Sequence, residues 1–182
     1  MNMTASKECE HTMNPLLIYS TIHKRPVYQE CENWFVLDEE FSFDLHSLQK
    51  EVFSCLNRKF TTPVVFCDSC EANKIVSELG EEEAEFLQYA SAVYWREVGI
   101  IFIFNFEEYL PLIEIIFHEL RHVMQEDIPF FKKQFEFDKK LPYEERKTEK
   151  DAFQYAKSHL QKFMKSHQDT PFFSQSSRGK IN

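Results

Sequence analysis

A chain of 182 residues with 43% hydrophobic content and 19 Phe is long enough and oily enough for one domain with a real core. Its formal charge of -9 argues against a nucleic-acid backbone or an anionic membrane surface as the main partner. No run approaches the roughly 18–20 apolar residues of a membrane span, and the opening "MNMTASKECEHTMN" lacks the basic and apolar regions of a signal peptide. The expectation is a soluble, cytoplasmic protein whose cysteines (Cys9, Cys31, Cys55, Cys67, Cys70) are reduced thiols.

In chain order, residues 1–15 read as a flexible N-terminal tail. Short strands are expected near Leu16–Tyr19 and Trp34–Leu37. "DLHSLQKEVFSCLNRKF" is an amphipathic helix in which Leu45, Leu48, Val52 and Leu56 share a face and Asp44 is the N-cap. "TPVVFC" reads as a short buried strand and "CEANKIVSEL" as a helix stopped near Gly80. "EEEAEFLQYA" reads as a turn or short helix. "SAVYWR" and "GIIFIFNF" flank "EVG", with Gly99 free to take positive φ, which predicts a β-hairpin. A helix from about Glu108 to Glu126 follows, ended by Pro129. "DIPFFKKQFEFDKKLP" reads as irregular. A last helix begins between Tyr143 and Glu149 and runs to about Lys165. The domain therefore spans 16–167, and 168–182 reads as a second flexible tail.

One stretch, "EIIFHELRHVMQ", carries chemistry. His118 and His122 stand one helical turn apart, about 40° apart in projection, so both can reach one tetrahedral metal. Glu119 lies about 100° round from His118, placed to reach a water at the metal without ligating it. Leu112, Ile113, Ile116, Phe117, Leu120, Val123 and Met124 make this helix apolar around most of its circumference. Two imidazoles and a carboxylate buried there are costly unless paired or bound to metal.

A zinc site of this kind needs a third protein ligand. In "KTEKDAFQYAKSHL" the apolar stripe is Ala152, Phe153, Ala156, Leu160 and Phe163, and Glu149 falls on it. Glu149 is thus the candidate ligand; capping the helix, or pairing with Arg121 or Arg146, are its alternatives, with Thr148 and Asp151 able to form a capping box.

"HELRH" followed by "EKDA" resembles the gluzincin pattern, H-E-x-x-H with a downstream E-x-x-A, separated here by 149 − 122 − 1 = 26 residues. Over about residues 92–160 the chain is similar to small zincin-like metallopeptidases of bacteria and phages, broadly of the ImmA/IrrE type. Arg121 departs from them, standing where many have Gly or Ala. The resemblance implies an α+β minimal zincin-like domain: a small, mostly antiparallel sheet, an active-site helix and a C-terminal ligand helix. It implies one Zn2+ per chain on His118, His122 and Glu149, with the metal site within 92–160. It also implies hydrolysis of peptide bonds by Glu119-assisted attack of water at the zinc, on a protein or peptide substrate; the short chain, with little room for a deep specificity pocket, points to narrow, regulatory action.

A proton donor to the oxyanion would come from Tyr143, Tyr155 or His159. The strand "IIFIFNF" is the expected edge for an extended peptide, with Asn105 and Phe106 lining the cleft and the Phe-rich segment 130–137 as its opposite lip; ordinary core packing is the alternative for these phenylalanines. Two other function classes remain open: a zinc-binding interaction protein without turnover, and a thiol-disulfide oxidoreductase using Cys67 and Cys70 of "CDSC". Asp68 disfavours a thiolate in the latter.

Overall fold

The structure, a computed structural model, describes residues 13–84 and 89–167. Of the expected tails, residues 1–12 and 168–182 lie outside the described residues, while Asn14 and Pro15 begin a helix; of the expected turn or short helix in "EEEAEFLQYA", residues 85–88 lie outside them.

The chain opens with α1 (Pro15–Ile22), not with the strand expected near Leu16–Tyr19. Asn14 caps this helix by accepting the Leu16 N–H at 3.0 Å. Pro15 takes the first helical position, where a missing N–H costs nothing. Strands β1 (Gln29–Cys31) and β2 (Trp34–Val36) follow, the first of them unanticipated. In α2 (Leu45–Leu56) Asp44 is the N-cap, accepting from Ser47 N at 2.8 Å. After β3 (Val64–Phe66), Asp68 caps α3 (Ser69–Glu78) through Glu71 N at 2.7 Å. β4 (Ala92–Trp95) and β5 (Ile100–Ile103) form the expected hairpin, and Gly99 sits at φ +69° in its turn. α4 (Tyr109–Glu126) leads to α5 (Pro129–Asp138), a 3₁₀ turn (Tyr143–Glu145) and α6 (Lys147–Ser166). The segment expected to be irregular is α5. Pro129 both stops α4 and occupies the first turn of the next helix, the one place where proline favours a helix.

The fold is α+β, with a five-stranded sheet of order β1-β2-β3-β5-β4. The sheet is mixed rather than mostly antiparallel: β2–β3 and β3–β5 pair parallel, β1–β2 and β4–β5 antiparallel. Every residue of β2, β3 and β5 is buried, as expected for strands covered on both faces. Trp34, Val36, Val64, Phe66, Ile101 and Ile103 point to a core shared with α2, α4 and α6. Their alternates Phe35, Val65, Ile100 and Phe102 point to a second core with Ile18 and Ile22 of α1 and Ala72, Ile75 and Val76 of α3. β4 and β1 are the sheet edges, and α4 packs beside β4 with α6 laid along it. Among the described residues no helix is long and apolar enough to cross a membrane.

Candidate metal centre

α4 turns Leu112, Ile113, Ile116, Phe117 and Leu120 into the core, and the same period carries His118, Glu119 and His122 inward to 8%, 6% and 9% exposure. Glu149, in the first turn of α6, meets them. His118 Nε2 lies 3.2 Å and His122 Nε2 3.4 Å from Glu149 Oε2, and the two Nε2 atoms are 3.1 Å apart. For a tetrahedral zinc with bonds of about 2.0–2.1 Å, adjacent ligand atoms are separated by roughly 3.3 Å. The three edges therefore fit one face of such a tetrahedron. His118, His122 and Glu149 are the group of potential metal ligands found among the described residues.

The lone pair of His122 is aimed by its neighbours. Gln125, fully buried, donates its amide N–H bonds to Thr148 O at 2.9 Å and Asp151 Oδ2 at 2.8 Å, both acceptors only. That orients its Oε1 toward His122 Nδ1, at 3.0 Å. In the neutral imidazole Nδ1 then carries the proton, and Nε2 is the lone-pair nitrogen that faces Glu149 and His118. Arg121 clamps Asp151 with Nε at 2.6 Å and Nη2 at 3.3 Å. The bulky residue that departs from the ImmA/IrrE pattern thus ties α4 to α6, and Glu149 pairs with neither Arg121 nor Arg146. Helix α6 is capped from α5: Asp138 Oδ2 accepts Thr148 N at 2.8 Å and Thr148 Oγ1 at 2.7 Å, displacing the Thr148–Asp151 capping box. His118 Nδ1 is buried without a partner among the described residues.

Burial raises the Glu119 carboxyl above its ordinary range, opposed by the His122 and His118 imidazoles. Burial also works against a charged Glu149, yet the facing His118 and His122 imidazoles and the Tyr143 hydroxyl hold its carboxyl well below the usual range. For His122 burial pulls down, but Glu149 and Glu119 outweigh it and the imidazole is raised. The Tyr143 hydroxyl is raised by burial and by the charge of the nearby Glu149. The two carboxyls are thus shifted in opposite directions: that of Glu149, one of the three converging groups, downward, and that of Glu119, outside the three, upward.

Residues 36–167, more than half of the chain, match a family model described as "Protein of unknown function (DUF3920)". The chain belongs to that DUF3920 family. No curated protein and no solved structure matches it. The family match takes in β3 through α6, and with them His118, Glu119, His122, Gln125, Tyr143 and Glu149.

Two cavities flank the cluster. One, of about 730 Å³, is walled by β4, the hairpin turn, α5 and the start of α6; the other, of about 450 Å³, lies between α4 and α6 and is lined by Pro111, Ile115, Phe153 and Ala156. Ala92, His118, Glu119 and Tyr143 line both. Asn105 reaches the second cavity as expected, but Phe106 packs against Phe41 and Phe66, at centroid distances of 5.5 and 6.4 Å. Of the three candidate proton donors only Tyr143 is at the cluster. Tyr155 and His159 stack on each other at 4.0 Å, line neither cavity, and pack against Arg121 and Phe117. The strand beside the cleft is β4, because β5 is interior, paired on both sides. From the Phe-rich segment, Phe135 forms the opposite wall, stacked under Arg96 at 3.2 Å. Gln125, Arg96 and Asp138 carried no assigned role in the sequence; for Gln125 the available signal was its place one turn beyond His122. Cys67 is buried and its thiol is pushed well up by burial and by Asp68, while Cys70 is exposed and both are free.

Proposed function

We propose that the protein is a zinc-dependent peptidase of the zincin-like, gluzincin type, acting in the cytoplasm on a protein or peptide with narrow specificity. The observation that carries this reading is the convergence of His118 Nε2, His122 Nε2 and Glu149 Oε2 at 3.1–3.4 Å, beside a buried acid, Glu119, that is not one of the three. A Zn2+ held there would act as a Lewis acid, making a water more acidic and polarising a substrate carbonyl.

The remaining steps belong to the chain. An extended peptide lies along the free edge of β4, with main-chain groups of that strand as partners and Phe135 opposite. Glu119 takes the proton of the attacking water as the new C–O bond forms at the carbonyl carbon, a task suited to a carboxylate whose proton affinity burial has raised. Tyr143 donates its hydroxyl hydrogen bond to the developing oxyanion. As the C–N bond breaks, Glu119 returns the proton to the departing nitrogen. Free thiols at Cys31, Cys55, Cys67 and Cys70 agree with a reducing compartment.

The test is Glu119→Gln. It is expected to bind about one zinc per chain, like the wild type, and to lose about 10²–10⁴-fold in hydrolysis, so that it retains from cell extract the protein that the wild type cleaves. Elemental analysis and cleavage of the captured protein are the readouts. A folded, untagged wild type that refuses zinc removes the metal. A captured protein left equally intact by both, with zinc present, removes the peptidase and favours a zinc-binding interaction protein.

A further inference from the structure

Resting on the peptidase reading above, we propose that the larger cavity selects substrates bearing a carboxylate, and that Arg146 receives it. Of the five arginines among the described residues, four have an acidic partner: Arg25 with Glu71 and Glu78, Arg58 with Asp127, Arg96 with Glu126, and Arg121 with Asp151. Arg146 forms no ion pair among the described residues, although the chain carries a net charge of -9. It is half-buried, three residues before Glu149, and lines the same cavity as His118, Glu119 and His122.

Arg146 is held in place by groups that leave its charge unmatched. Its Nε donates to Leu141 O at 3.1 Å, and its guanidinium carbon stands 5.7 Å from the centroid of the Tyr143 ring. The two terminal nitrogens, the planar fork that fits a carboxylate with two parallel hydrogen bonds, are left for a ligand. Two acids that line the same cavity are placed elsewhere: Glu149 faces the two imidazoles at 3.2 and 3.4 Å, and Asp138 is bonded by Thr148 and Gln134. Glu97 lines the cavity but forms no ion pair with Arg146. A half-buried cation without a counter-charge loses hydration that one carbonyl and one ring replace only in part. A carboxylate arriving with the substrate supplies that return, in a cavity whose wall also carries Arg96 and Lys139.

The carboxylate has two possible sources, the C-terminus of a short peptide or an aspartate or glutamate side chain within a longer one. The first would make the enzyme act near chain ends, the second at acidic sequences. Short peptide hydroxamates distinguish them, because the hydroxamate anchors each compound on the zinc. One pair ends in a free carboxylate or its amide. A second pair is amidated at the end and carries Glu or Gln in the interior. Affinities are measured by calorimetry on the zinc-loaded full chain, its Arg146→Gln variant and its Arg146→Lys variant.

In at least one pair the carboxylate member is expected to bind about tenfold to a hundredfold more tightly, and the pair that shows it names the source. Arg146→Gln should erase the advantage while leaving the neutral compounds bound as before. Arg146→Lys, keeping charge but not the fork, should retain part of it. Binding without a carboxylate advantage in either pair, or an advantage intact in Arg146→Gln, overturns the carboxylate assignment and leaves the metal reading standing. Failure of every hydroxamate to bind the zinc-loaded chain removes the peptidase reading and this proposal together. Should Arg146→Gln not fold, the wild-type comparison and Arg146→Lys still decide.

Discussion

On the α1–α3 side of the sheet, Arg25 meets Glu71 and Glu78; on the α4–α6 side, His118, His122 and Glu149 meet one another. Both clusters put charged groups against a hydrophobic core, yet they balance differently. Arg25 donates from Nε to Glu71, from Nη2 to Glu78 at 2.8 Å and from Nη1 to Thr21 O at 2.7 Å, so each of its three nitrogens has an acceptor. At the other cluster three lone-pair atoms face the same point, and the proton of His122 is directed away, toward Gln125. A closed network of the first kind holds helices together; an open one of the second kind is an electron-rich face that calls for a cation from outside. That contrast, more than burial or charge alone, separates a structural cluster from a candidate site in this protein.

The contrast breaks most visibly at Glu149. Replacing it with Ala should lower zinc affinity by well over the about 100-fold that an outer partner contributes. It should also abolish the rise in melting temperature expected when zinc is added to the wild type. Glu144→Ala and Glu145→Ala, in the exposed 3₁₀ turn, serve as controls. Competition titration against a chromophoric chelator reads the affinities; equal values in all three variants would name a different third ligand.

Gln125→Leu sharpens the comparison by leaving the ligands in place and removing what aims one of them. Zinc affinity should fall about 10–100-fold. Long-range nitrogen–proton NMR on the metal-free protein should show the fixed Nδ1–H form of His122 giving way to a mixture. An unchanged tautomer would mean that Gln125 only fills space.

The closed cluster should respond to acid and not to zinc. Glu78 is held down to about 2 by its bonds to Arg25 and Lys24, from an ordinary carboxylate value of 4.5. A depressed carboxyl contributes stability that is fully present above its unfolded value and is lost as pH falls toward its folded one. Between about pH 4.5 and 2 the wild type should therefore lose more stability in urea titrations than Arg25→Ala, whose Glu78 has less to lose. At neutral pH Arg25→Ala should be less stable by about 2 kcal/mol while binding zinc normally. Parallel pH curves for the two proteins would show that the pair contributes nothing measurable.

Within single helices and turns the sequence was legible, because the relevant geometry is local. The four-residue spacing of His118 and His122 sets their angle on α4 whatever surrounds it. Asp44 before the Leu45 stripe caps α2, and Gly99 turns the hairpin. The apolar period of α6 already placed Glu149 on the inward face. Local reading failed where one residue answers to two elements. Pro129 was legible as the end of α4 but also begins α5, and Asn14-Pro15 begins a helix in a stretch whose apolar residues resembled a strand.

What the sequence determined by itself, then, is which side chains share a helix face: His118, Glu119 and His122 on one, Glu149 with Ala152 and Ala156 on another. Only the tertiary structure decided that the two faces meet, through the Arg121–Asp151 clamp and Gln125, and that Asp138 from α5 caps α6. It also decided that Tyr143 rather than Tyr155 or His159 reaches the cluster, that β4 rather than β5 is the edge, and that Arg146 has no ion pair among the described residues. The reason is physical. Backbone periodicity carries angular order for a few residues along the chain. The distance between two helices is set by the side chains packed between them, and those come from elements far apart in the chain.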